Sequence, residues 1–71
     1  MSAPAQVRGK VEYRLGDGPL LRVPPGAIEI DIGRSDVTLT WDNGATRQSA
    51  AIPSSDFARY VDARAIVVGG R

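Results

Sequence analysis

Chemistry in this chain has to come from carboxylates, guanidiniums, hydroxyls and a single indole, because it contains neither histidine nor cysteine. Imidazole and thiolate ligands are therefore excluded, and any metal would need a hard, all-oxygen site. Glu29 and Asp31 alternate onto one face of a strand-like segment, with Asp36 beyond the next turn. Paired carboxylates can hold Ca²⁺ or Mg²⁺, or act as acid and base. Two strand carboxylates offer too few convergent oxygens for a cation, and Thr38 and Thr40 are their expected cross-strand neighbours. Ser49, Ser54 and Ser55 have no base near them in sequence, and the lone Lys10 sits among charges, so nucleophilic catalysis lacks an activating group. The reading is a protein that is not an enzyme, with no catalytic residue, metal site or cofactor.

The basic side chains point elsewhere. Eight of the nine are Arg, whose planar fork suits phosphate and carboxylate. Residues 1–26 and 46–71 are each net positive, and the segment between them is net negative, against a total of +1. Such a pattern suits cross-strand salt pairing. It also allows a basic patch, and Arg8, Lys10, Arg14, Arg22 and Arg47, with Trp41 as a stacking platform, are the candidate nucleic-acid-binding set. Tyr13 falls on the face opposite these charges, so basic and aromatic groups do not interleave. Trp41 itself has two readings, a core residue closing a hairpin or a half-exposed ring at the sheet rim.

The elements that would carry these residues are short strands. In VRGKVEYRL, Val7, Val11, Tyr13 and Leu15 alternate with Arg8, Lys10, Glu12 and Arg14, the period of a strand with one buried face. Gly16-Asp17-Gly18 suits a three-residue loop with a left-handed Gly at its last position, which sets Tyr13 opposite Leu21 and Val11 opposite Val23. Pro24-Pro25-Gly26 ends the return strand. AIEIDIG follows, and a loop over residues 33–36 pairs Ile32 with Val37, Ile30 with Leu39 and Ile28 with Trp41, all apolar on one face. Asn43-Gly44 is a preferred two-residue turn, expected to set Trp41 opposite Thr46, Leu39 opposite Gln48 and Val37 opposite Ala50. A three-residue loop would instead bring Arg47 beside Trp41. Ser54 or Ser55 can cap a short helix over about residues 54–62 with Asp56 in its first turn, and Phe57, Tyr60 and Val61 form its apolar stripe. Ala65 to Val68 is the final strand.

Five or six strands with one short helix before the last describe an all-β, mainly antiparallel fold, either a small barrel or a curved sheet. In this order of elements, with IPSSDFARY at 52–60 in the helical place, the chain resembles the SH3-like small barrels. The peptide-binding signature of SH3 domains is absent: aromatic residues are few, and no acidic loop precedes the tryptophan.

A chain of 71 residues makes a single domain, here with residues 1–6 and 69–71 as flexible tails. A domain this small has a marginal core and needs a supplement. With disulfides excluded, that supplement is expected to be homodimerisation. No signal-like start or apolar run of membrane-spanning length is present. The Arg- and Ala-rich usage gives a bacterial, cytoplasmic expectation. The expected function is a binding or regulatory module acting through protein–protein interaction, with nucleic-acid binding as the alternative.

Overall fold

The structure is a computed structural model and describes residues 2–14 and 16–69. Its elements in chain order are β1 (Ser2–Val7), β2 (Glu12–Arg14), β3 (Leu20–Arg22), β4 (Gly26–Ile32), β5 (Asp36–Asn43), β6 (Thr46–Pro53), α1 (Ser54–Asp62) and β7 (Ile66–Val68). Five strands form an antiparallel sheet in the order β6-β5-β4-β1-β7, and β2 and β3 form a separate hairpin. The sheet is open, with β6 and β7 at its two edges, so the curved sheet replaces the closed barrel.

β1 occupies residues expected to be a tail. It pairs with β4 through Ala3 opposite Ile30 and Ala5 opposite Ile28, and with β7 through Ala5 opposite Val68 and Val7 opposite Ile66. Ala5 and Val7 are buried. The segment SAPAQ has no strand propensity of its own, so this strand is made by its two neighbours. Pro4 is tolerated because of which way its backbone points. Its carbonyl accepts from the Gly69 N–H at 2.8 Å, on the β7 side. A residue's N–H and C=O share a side, so the missing N–H faces the end of β7 and removes no bond to β4. Gly70 and Arg71, the rest of the expected C-terminal tail, lie outside the described residues.

The long strand expected over residues 7–15 is broken at Gly9. The N–H groups of Arg8 and Gly9 both donate to the Ala65 carbonyl, at 2.7 and 3.1 Å. A side chain at Gly9 would meet Ala65 Cα and Cβ at 3.0 Å, so any other residue would have to push this segment away by a few tenths of an ångström, and Gly favours the close approach. Beyond the break the expected register holds. Tyr13 faces Leu21, and the Val23 N–H donates to Val11 at 2.9 Å. The left-handed residue recorded in the loop is Gly16, at φ 59°. Leu15 lies outside the described residues.

The β4–β5 hairpin matches its expected pairing at Ile30 with Leu39 and Ile32 with Val37, and the Gly33 N–H closes the loop onto the Asp36 carbonyl at 2.8 Å. Ile32 lies at the strand end and is 58% exposed, unlike the other five apolar residues of this face. The β5–β6 hairpin departs from expectation. Its loop is Gly44-Ala45, and the pairs are Val37 with Ile52, Leu39 with Ala50 and Trp41 with Gln48. Gly44 carries φ 67° and Asn43 does not take a positive φ, the pattern of a turn with Gly at its first central position. The displacement keeps every side chain on its face. It moves Ala50 and Ile52 opposite Leu39 and Val37, where all four are buried, and that apolar match decides the register.

α1 spans the expected residues. It has no side-chain cap; instead the Ser54 N–H donates to the Ser35 carbonyl at 3.0 Å. Phe57, Tyr60 and Val61 pack, partly buried, on the core. Its C-terminus closes with Ala65 N–H to the Tyr60 carbonyl (2.8 Å) and Arg64 N–H to the Val61 carbonyl (3.1 Å). This is a Schellman stop in which Arg64, at φ 61°, occupies the left-handed place usual for Gly.

Candidate interaction surface

Trp41 is a core residue. It is 5% exposed and meets Tyr13 edge-on, with ring centroids 5.6 Å apart and planes at 60°. This places the β2–β3 hairpin over the inner face of the sheet, since Tyr13 belongs to β2 and Trp41 to β5. The ring is not an exposed stacking platform, and Trp41 leaves the candidate nucleic-acid set.

Four of the five candidate basic residues lie on the β2–β3 hairpin or in the connection leading to it, and the fifth is on β6. Arg8 and Lys10 lie in the connection from β1 to β2, Arg14 on β2, Arg22 on β3 and Arg47 on β6, all exposed. Arg22 stands opposite Glu12 in the hairpin register, and Lys10 lies 3.9 Å from the Glu12 carboxylate. Arg47 bonds Glu29 across β5, so the acidic centre and the basic end of the chain do pair across strands. Glu29 and Asp31 face Thr40 and Thr38 in register, as expected. With Ser2 and Arg47 they line a shallow depression of about 170 Å³ on the outer sheet face. Among the described residues, no cluster of three or more His, Cys, Asp or Glu side chains could hold a metal ion.

A depression of about 400 Å³ lies beside the end of α1 and β7, lined by residues 61–68, and a groove of about 310 Å³ that joins more distant segments lies at the seam between the hairpin and the open sheet edge. Glu12, Tyr13, Arg14 and Leu20 form one wall, Ala51, Ile52 and Pro53 the other, and Asp56 and Tyr60 of α1 lie across its end. Tyr60 fixes its geometry: the hydroxyl donates to the Glu12 carbonyl at 3.1 Å and accepts from the Glu12 N–H at 3.2 Å. One side chain thus holds both backbone groups of Glu12 and ties α1 to β2. Leu20 is 55% exposed on the wall, opposite Arg14 in register. Asp56 bonds Arg59 one turn along the helix, and that hydrogen bond, with the carboxylate charge, raises the Arg59 pKa above its usual value.

Sequence reasoning overlooked this groove because its residues are scattered from 12 to 60. One signal was present: Leu20 shares the charged face of its hairpin with Glu12, Arg14 and Arg22, so it is an apolar residue where a charge would be ordinary.

No protein-family model, curated protein or solved structure matches this chain.

Proposed function

We propose that this chain is a non-enzymatic binding module that works through protein–protein interaction, as a homodimer. The observation that carries the reading is the seam groove, with Leu20 exposed on one wall, Pro53 on the other and Tyr60 holding the walls in place. A preset groove flanked by an unused apolar side chain suits an extended segment of a partner protein, which can lay one apolar residue against Leu20 and Pro53. The order of elements, with a helix leading into a last strand that returns beside the first, supports the likeness to SH3-like small barrels.

The test is selection of binders from a displayed random peptide library, followed by amide-shift mapping of the winners. Shifts confined to Glu12–Arg14, Leu20 and Ala51–Asp56, with at least tenfold weaker binding to Leu20→Asp, would support the reading. Leu20 is on the surface, so this change should leave stability within about 0.5 kcal/mol. Binders that map elsewhere, or none at all, would count against it.

Nucleic-acid binding is the second reading, kept by the exposure of Arg8, Lys10, Arg14 and Arg22. It ranks lower because Trp41 is buried and Arg47 is paired with Glu29. Salt-sensitive oligonucleotide binding that is lost on reversing Arg8 and Arg14 to Glu would reverse the ranking.

A further inference from the structure

The edge strand β6 has an unused hydrogen-bonding side. In a two-residue hairpin the pair flanking the loop exchanges both backbone hydrogen bonds, here Asn43 with Thr46. By alternation Thr46, Gln48, Ala50 and Ile52 turn their backbone groups toward β5. Arg47, Ser49 and Ala51 turn theirs outward. Among the described residues no backbone hydrogen bond leads from these three to any other strand, and β2 approaches this border only at its lower end, across the groove walled by Ala51–Pro53. Pro53, next in the outward series, has no N–H to offer and ends the edge.

Natural edges are commonly guarded by shortness, charge, proline or bulges. β6 has eight residues, and its pairing with β5 runs without a bulge. Its one charge, Arg47, is drawn onto the outer face by Glu29. The outward series is also symmetric about its own centre. If Ser49 lies on a two-fold axis, Ser49 faces its counterpart, Arg47 faces Ala51 and Ala51 faces Arg47. Every outward N–H and C=O of the three residues then finds a partner, and no two like charges stand opposite. The side chains keep their faces as well, because each strand contributes inward residues opposite inward residues.

We propose that the free edge of β6 is the homodimer contact, pairing antiparallel with β6 of a second copy and placing Ser49 on the two-fold axis. The inference rests on the homodimer reading above and names its surface. The occupant is a second copy, because the series of hydrogen-bonding groups and the single off-centre charge are complementary to themselves, as a two-fold contact requires.

The chain has no native cysteine, so single-cysteine variants report the contact directly. Directly opposed residues of an antiparallel hydrogen-bonded pair lie about 5.5 Å apart at Cα, within disulfide reach. Ser49→Cys should therefore form a covalent dimer under mild oxidation. Two copies of Arg47→Cys should not, being separated by roughly 13 Å along the strands. Ser49→Pro removes an outward N–H and no bond to β5, so it should keep the fold and weaken association at least tenfold by sedimentation. Failure of Ser49→Cys to cross-link overturns the proposal even if the proline variant does not fold. A dimer that cross-links through Val68→Cys, and not through position 49, moves the contact to β7 and overturns the edge assignment while sparing the homodimer. A wild-type chain that stays monomeric at millimolar concentration overturns both, and the groove then stands or falls on the peptide experiment.

Discussion

At one border of the five-stranded sheet β7 is three residues long, and at the other β6 runs for eight. β7 is fastened at every turn of the chain around it. The Ala65 carbonyl takes two N–H bonds from residues 8 and 9, a Schellman stop delivers the chain from α1, and Gly69 bonds back to Pro4. β6 is held by β5, with only the seam groove separating its lower half from β2. The contrast shows two ways to finish a small sheet. One edge is too short and too well fastened to accept a strand; the other is long, has no backbone partner beyond β5 and meets β2 only across the groove at its lower end.

Changes at the fastened edge should have the larger effects. Gly9→Val forces a side chain against Ala65 at 3.0 Å, where both contacting atoms are close to the backbone. It should cost about 1–3 kcal/mol in urea unfolding, the usual range for overpacking. An unchanged midpoint would mean that this approach does not fasten β7. Tyr60→Phe leaves the Glu12 N–H and carbonyl without their shared partner. A loss of about 1 kcal/mol is expected, with faster exchange of the Glu12 amide. Arg64→Gly works in the other direction: relieving the left-handed strain at φ 61° should stabilise by about 0.5–1 kcal/mol after the entropy cost of Gly. A destabilised variant would show that the Arg64 side chain contributes more than its conformation costs. Arg47→Ala, at the open edge, removes only an exposed ion pair and should change monomer stability by less than about 0.5 kcal/mol.

The sequence was most legible where loop length and alternation agreed. Residues 28–41 show this, since one loop puts Ile30 opposite Leu39 and no other residue competes for the inner face. It was less legible at β6, where two registers differing by a pair of residues keep the same side chains inward. The choice between them rests on packing Ala50 and Ile52 against Leu39 and Val37. β1 was not legible: Ala3, Pro4 and Ala5 carry no strand signal, and their conformation comes from β4 and β7 on either side. The break at Gly9 was hidden for a similar reason, because Ala65, which requires it, lies far along the chain. Of the candidate site residues, Arg14, Arg22 and Arg47 are exposed on strands as their alternation implied, whereas Arg8 and Lys10 are exposed in the connection left by the break at Gly9. Trp41 lies in the core, the first of the two readings that its alternation with Val37 and Leu39 offered, while the Tyr13 ring that meets it comes from a distant segment that no local pattern encodes. The seam groove depends wholly on such long-range meetings.

Concentration-dependent amide exchange tests the difference between the two edges most directly. In dilute solution the outward amides of Arg47, Ser49 and Ala51 should exchange quickly while Gln48 and Ala50, bonded to β5, stay protected. Raising the concentration should slow Arg47, Ser49 and Ala51 together and leave Ile66–Val68 unchanged. If those three amides exchange at the same rate at every concentration, or if protection rises at β7 instead, β6 is not the edge at which the protein pairs.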